Sequence, residues 1–352
     1  STFEFSDKNF ADDFVAFNRF KTREEEIKVG DIPHIGFFIK DASVVGGGTK
    51  VLFKHINWLI KLGVDVTVYS YSPKPDWLKL KLKYVKINSI EEIDTAGINL
   101  FVVFSIFDLP GILNKLPLSK VVHLCQGYEG YHYGRTYEEM RSDKHILTML
   151  HAIPVKNISV STHLVNLFKE KFNRASEYIP NSIDHKIFKP STIKYNNTKS
   201  ILFIGNPWHP LKGFEFLAST IVSIQKSKYR IQNLKLNIVI GYKIDNINKI
   251  QEELSKELDC IVEIKEKLSS EKIAEVIRHS SVVVCTSWYE GFSMPILEAM
   301  ASGVPVITTN NMGAESFCLH EKNSFIVKYN DNENFIRYIL DILNNRINLK
   351  PI

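Results

Sequence analysis

Hydrophobic positions in this chain fall into short runs, rich in Val and Ile, that alternate with stretches of helical periodicity. His34–Ile39 reads as a strand, Thr49–Leu62 as an amphipathic helix stopped by Gly63, and Val64–Ser70 as the next strand. Leu100–Phe104, Val121–Cys125, Ile158–Val160 and Glu177–Ile179 continue the series. A second series follows a polar stretch, with strands predicted at Ser200–Ile204, Leu236–Ile240, Ile261–Ile264, Val282–Thr286, Val304–Thr308 and Phe325–Val327. Helices are expected between them, among them Glu271–His279, Ile296–Ala301 and Asn332–Asn344. Strands alternating with helices predict parallel sheets joined by crossover connections. Ligands of such sheets bind beyond the carboxyl ends of the strands.

The 352 residues suffice for two cores of ordinary size. Residues 1–31 stand apart as an appended amphipathic segment, charged and with Phe10, Phe14 and Phe17 spaced for one helix face. The stretch Tyr178-Ile-Pro-Asn-Ser-Ile-Asp184, followed by Phe188 and Pro190, reads as a domain exit. The expected boundaries are therefore 32–190 for a first domain, 191–199 for a linker and 200–352 for a second domain.

Composition changes this picture little. With 44% hydrophobic and 24% charged residues the chain is globular in character. Its net charge of +5 comes without an aromatic-interleaved basic stripe. That argues against a nucleic-acid partner and suits an anionic ligand or an acidic membrane surface. Cys125, Cys260, Cys285 and Cys318 show no C-x-x-C spacing, as expected of reduced thiols in a cytosolic protein. The longest apolar run, Ile98–Phe107, is too short to span a bilayer. The chain starts with no signal-like apolar stretch, so a cytoplasmic location is expected, with the inner membrane surface as a candidate site of peripheral association.

The candidate chemistry gathers in Val282–Met300. An apolar strand ends near Thr286, a short turn carries Glu290 and Gly291, and a helix begins near Ser293. Pro295 falls in its first turn, where a missing N–H costs nothing. The loop amides and helix start would present unpaired donors to an anion. Glu298 sits about one turn into the helix, and Glu290 lies at the strand–loop junction. A carboxylate can accept two hydrogen bonds from a vicinal diol, each worth about 1.5–3 kcal/mol. The plain alternative, an exposed helix carboxylate favoured by the macrodipole, is worth only about 0.3–1 kcal/mol.

The segment Tyr289-Glu-Gly-Phe-Ser-Met-Pro-Ile-Leu-Glu-Ala-Met-Ala-Ser-Gly-Val-Pro-Val-Ile307 resembles the Glu-x7-Glu signature of the retaining glycosyltransferases of family four. The resemblance runs from about Pro33 to Asn344. It implies an α/β architecture of the GT-B type, two Rossmann-like domains with parallel sheets facing a central cleft. It further implies that Glu298 binds the ribose diol, that Glu290 contacts the donor sugar, and that Gly291, Phe292 and Ser293 offer backbone groups to sugar and diphosphate. Three other stretches are similar to family motifs. Gly46-Gly47-Gly48-Thr-Lys50 resembles the first glycine-rich loop, where backbone amides approach a phosphate or sugar closely. Pro180-Asn-Ser-Ile-Asp184 resembles the interdomain motif, with Ser182 in place of glycine. Gly205-Asn-Pro-Trp-His-Pro-Leu-Lys-Gly213 resembles the loop whose lysine, here Lys212, binds the diphosphate.

Two departures stand out. The family's arginine after Gly205 is Asn206, with His209 and Lys50 as candidate substitutes. A family histidine near the transferred sugar is replaced by Gln126, which can hydrogen-bond a sugar but cannot act as a base. Tyr128 and Glu129 in the same loop are candidate acceptor or sugar contacts, and His123 is the competing candidate for the histidine, although its place inside an apolar strand favours a core role. The family also continues into further helices at the carboxyl end. The stop at Ile352 fits either a truncated chain or a leading segment, Phe3–Ile27, that braces the domains instead.

The reaction implied is retaining transfer of a hexose-type sugar from a nucleoside-diphosphate donor to a hydroxyl of a glycan, lipid-linked or protein-linked acceptor. Lys212, Glu290 and Gln126 would be its catalytic residues. No Asp-x-Asp motif occurs, so neither a metal nor a cofactor is expected. The rival readings are a non-catalytic GT-B partner subunit, favoured by Asn206 and the short carboxyl end, and a nicotinamide dehydrogenase. The dehydrogenase lacks support because Gly46-Gly-Gly does not have G-x-G-x-x-G spacing.

Overall fold

In the computed structural model, which describes residues 32–43, 47–78, 80–132, 140–191 and 199–346, the alternating runs form two parallel sheets. The leading segment and most of the expected linker lie outside the described residues.

The first sheet contains β1 (His34–Phe38), β2 (Asp65–Ser70), β3 (Lys83–Lys86), β4 (Leu100–Val103), β5 (Val121–Cys125), β6 (Lys156–Ser159) and β7 (Glu177–Tyr178). Their spatial order is β3-β2-β1-β4-β5-β6-β7. Its helices are α1 (Gly47–Lys61), α2 (Leu109–Leu113), α3 (Glu129–His132), α4 (Met140–Ala152) and α5 (Thr162–Phe172). Apolar patterning did not predict β3, because Lys83-Tyr-Val-Lys86 is a half-exposed edge with lysines at both ends. Helix α1 starts two residues earlier than expected, so Gly47 and Gly48 form its first turn instead of a preceding loop.

The second sheet is built from β8 (Ser200–Ile204), β9 (Lys235–Ile240), β10 (Ile261–Glu266), β11 (Val282–Cys285), β12 (Val306–Thr309) and β13 (Phe325–Val327), in the order β10-β9-β8-β11-β12-β13. Helices α6 (Phe214–Gln225), α7 (Ile247–Leu258), α8 (Ser270–Arg278), α9 (Met294–Ala301) and α10 (Asn332–Leu343) accompany it. Its central strands β8 and β11 are apolar except at Ser200, because both faces are covered. On β8, Ile201 and Phe203 enter one core with Leu217 and Phe335, while Leu202 enters another with Ile296 and Val306.

The chain divides into compact units after Asn181, nine residues before the expected boundary. The cause is packing. Phe188 is fully buried with Leu202, Val283 and Ile296, and Arg278 Nη1 donates to Ile187 O at 3.2 Å. The exit segment Ser182–Pro190 thus belongs to the second unit.

In both sheets the strand order reverses once, between β1 and β4 and between β8 and β11. At such switch points the loops leaving neighbouring strands diverge and open a crevice at the carboxyl ends. Lys212 and Glu290 fall on the loops after β8 and β11, whereas Gln126, Tyr128 and Glu129 follow β5, beside the first switch point.

Candidate functional site

In the second unit, β8 leads through Gly205 and Asn206 into a 3₁₀ turn, Pro210–Lys212, and then α6. His209 caps the turn: its Nδ1 accepts from Leu211 N at 3.2 Å. Gly213 then adopts φ +59°, and a Cβ there would lie 2.2 Å from Thr286 O. Only glycine satisfies both constraints, and its absent side chain lets the loops after β8 and β11 touch. Two hydrogen bonds join them. Trp288 N donates to Leu211 O at 2.8 Å, and Thr286 Oγ1 donates to Lys212 O at 3.1 Å.

This contact brings Lys212 and Glu290 together, although 78 residues separate them in sequence. Lys212 Nζ donates to Glu290 Oε1 at 2.7 Å, and Ser287 Oγ donates to the same oxygen at 2.6 Å. Burial pushes the ammonium of Lys212 toward neutrality, but the charge and hydrogen bond of Glu290 outweigh it and leave its pKa raised. The site therefore offers a fixed ammonium that stays charged.

Glu290 is anchored through its backbone too, its N–H donating to Asn311 O at 3.0 Å. Asn311, in the loop after β12, is buried and donates from Nδ2 to Thr308 Oγ1 at 3.0 Å. Thr309 Oγ1 donates to Ser287 O at 2.5 Å. Ser287, Thr309 and Asn311 carry no motif that singles them out in the sequence. The Asn310-Asn-Met-Gly313 turn signal after a strand marked the place without marking the role.

After Gly291 and Phe292 the chain reaches Ser293, a buried residue in left-handed conformation at φ +57°. That turn starts α9 at Met294, with Pro295 in the first turn as expected. The first amides of a helix lack intrahelical partners, so this end can receive an anion. Glu298 is half-buried in the second turn, while Ile296, Ala299 and Met300 face the core. Asn206 has a structural engagement of its own: Oδ1 accepts from Trp208 N at 3.0 Å, and its side chain also bonds to Tyr242.

In the first unit, Gln126 follows β5. Its Nε2 donates to Gly48 O at 3.4 Å, and a Cβ on Gly48 would stand 3.0 Å from Gln126 Oε1. The predicted glycines after β1 and the predicted glutamine after β5 thus meet across the end of β4. Tyr128 is only 1% exposed and packs against Tyr131, His151 and Phe172, which accounts for its ring as core. Glu129 Oε2 faces His151 Nε2 at 3.2 Å. His123 is core as expected: Nδ1 lies 2.8 Å from Asn157 Oδ1, and burial pushes its pKa down to about 3. No cluster of three or more His, Cys, Asp or Glu side chains suited to a metal occurs among the described residues.

Comparison with known proteins agrees with this geometry. The family described as Glycosyl transferases group 1 matches residues 198–345. An uncharacterized glycosyltransferase of Haemophilus influenzae is 25% identical over 343 residues, 88% of this chain and 90% of its own length. Among solved structures, sucrose-phosphate synthase from Thermosynechococcus elongatus superposes with a TM-score of 0.73 at 16% identity, covering 89% of this chain and 90% of that one. The Anabaena protein HepE in complex with UDP and glucose gives 0.64 at 14% identity, with 89% and 90% covered. Two parallel α/β units, together with these relatives and structural neighbours, identify a glycosyltransferase of the GT-B type. Over residues 198–345 the chain is similar to the group 1 glycosyl transferases.

Proposed function

We propose that this chain transfers a hexose-type sugar, with retention, from a nucleoside-diphosphate donor to a hydroxyl of a glycan, lipid-linked or protein-linked acceptor. The observation that carries the reading is the Lys212–Glu290 pair at 2.7 Å beside the start of α9. In this reading the ammonium of Lys212 and the α9 amides receive the diphosphate, and Glu298 binds the ribose diol. Glu290 contacts the transferred sugar, and Gln126 is a polar group able to hydrogen-bond a sugar. Lysine and helix amides stabilise a diphosphate leaving group without a metal. The departing diphosphate then takes the acceptor proton on the face the sugar leaves.

The test is sugar transfer by the purified chain alone. UDP, GDP, TDP and ADP sugars are first ranked by thermal shift, and the best is offered with acceptors in the presence of a chelator. A chain that binds no sugar nucleotide would favour the partner-subunit reading.

Peripheral membrane association belongs to the same proposal. Trp58 and Leu62, one helical turn apart, are 60% and 76% exposed, and Lys61 Nζ lies 4.7 Å over the Trp58 ring. An apolar–cationic patch of this kind suits an anionic bilayer surface. Sedimentation with anionic vesicles should carry the protein down and lose it with Trp58→Ala. Equal sedimentation of the two proteins would remove the assignment to this patch.

A further inference from the structure

Glu290 and the start of α9 share one loop, and the loop after β12 is bonded to it along its length. At the centre of that contact is Asn311, only 1% exposed and with both ends of its side chain engaged. Its Oδ1 accepts from Ala314 N at 3.3 Å and from Ser293 Oγ at 3.4 Å. Its Nδ2 donates to Thr308 Oγ1 at 3.0 Å and to Cys285 Sγ at 3.5 Å. Its backbone O accepts from Glu290 N at 3.0 Å and from Gly313 N at 2.8 Å. One residue therefore ties the ends of β11 and β12 to Glu290 and to the residue that precedes α9.

The contact is close as well as polar. A Cβ on Gly313 would stand 2.6 Å from Glu290 O and 2.8 Å from both Glu290 Cβ and Phe292 N, so the two backbones touch. Two residues other than glycine hold positive φ here, Ser293 at +57° and Met312 at +68°. Left-handed backbone is disfavoured once a Cβ is present, and it persists where the surroundings over-determine it. For Ser293 those surroundings are specific. It is 2% exposed, its Oγ is bonded to Asn311, and Cys285 Sγ lies 3.9 Å away. A serine at this turn depends on the asparagine, whereas glycine would adopt the turn unaided.

We propose that Asn311 is a positioning residue for sugar transfer, its amide holding both the left-handed Ser293 that starts α9 and the backbone that carries Glu290. The two effects run through different bonds. Oδ1 holds Ser293, and with it the first amides of α9 that receive the diphosphate in the proposed function. Nδ2 and Oδ1 together fix residues 308–314, and the carbonyl of Asn311 in that loop anchors Glu290. The role in transfer rests on the transferase reading; the anchoring does not.

The test uses Asn311→Ala in two backgrounds, wild type and Ser293→Gly. Hydrogen exchange needs no ligand. In Asn311→Ala it should accelerate about tenfold at residues 290–297 and remain unchanged in the first unit. UDP, GDP, TDP and ADP are then titrated by calorimetry, and the tightest is followed through the variants. Asn311→Ala should weaken its binding about tenfold in the wild-type background but only about twofold with Ser293→Gly. Turnover of the matching sugar nucleotide should fall about tenfold in both backgrounds, because Glu290 depends on the loop whatever stands at 293. An asparagine that only stabilised the fold would lower affinity by the same factor in both, and that result overturns the link to Ser293. Unchanged turnover overturns the positioning role. Unaltered exchange in Asn311→Ala overturns the anchoring whether or not the chain transfers sugar. Should Asn311→Ala not fold, Thr308→Val withdraws the acceptor of Nδ2 at nearly constant shape. Exchange at residues 290–297 should then rise about threefold, and no rise overturns the proposal. A wild-type chain that binds none of the four diphosphates counts against the transferase reading instead, and exchange still decides the anchoring.

Discussion

Lys212→Ala is expected to lower sugar transfer by about 10²- to 10³-fold, the range seen when a preorganised stabiliser of developing negative charge is removed. Donor affinity should fall much less. The ammonium is set in place before any ligand arrives, by Glu290 at 2.7 Å and by a loop that Gly213 and Thr286 hold in register. Its charge is secure, since the pull of Glu290 exceeds the effect of burial. A positive group fixed in this way interacts more strongly with a departing diphosphate than with the same diphosphate still esterified to sugar. The kinetic signature is therefore a drop in kcat with a small change in donor KM. Equal losses in turnover and affinity would show that Lys212 contributes only uniform binding.

Glu298→Ala should weaken binding of the nucleoside diphosphate by about one to two orders of magnitude, because charge-assisted hydrogen bonds worth roughly 1.5–3 kcal/mol are removed. The fold should tolerate the change. The side chain is half-buried, and α9 is held by Ile296, Ala299 and Met300 on its other face. Alanine also has the higher helix propensity. Calorimetric titration with the free diphosphate separates this effect from catalysis, and an unchanged Kd would exclude Glu298 as the ribose ligand. The two substitutions thus divide the site: one acts on affinity through the ribose, the other on turnover through the leaving group.

Much of this arrangement was legible in the chain because its signals are local. A strand buried on both faces declares itself as a continuous apolar run, and β5, β8 and β13 have the bounds expected of them. The Pro295 helix start is likewise a short-range feature, and α9 begins within a residue of the expected place. What the chain did not disclose depends on contacts between distant residues. Lys212 and Glu290 were both candidates, yet their pairing follows from the β8–β11 adjacency and from the room left by Gly213. Ser287, Thr309 and Asn311 are ordinary polar residues until β12 is placed beside β11. The exit segment reads as the end of the first domain, and the buried side chain of Phe188 with the Arg278–Ile187 hydrogen bond assigns it to the second unit. Tyr128 and Glu129 carried the motif of a contact loop, but a 1% exposed ring and a histidine-paired carboxylate describe the underside of that loop.

The departure at Asn206 also has a local account. Its side chain closes a turn onto Trp208 and bonds Tyr242, so it shapes the loop that presents Lys212. A neutral residue there leaves the anion site more dependent on Lys212 and the α9 amides, which sharpens the expected effect of Lys212→Ala.

Proton NMR of the product formed from the best-binding sugar nucleotide decides whether this chain by itself moves a sugar from a nucleotide with retention. The expected result is release of the nucleoside diphosphate and a new glycosidic linkage with the anomeric configuration of the donor, formed with a chelator present. A product of inverted configuration, or no transfer by a chain that binds the donor, would contradict it.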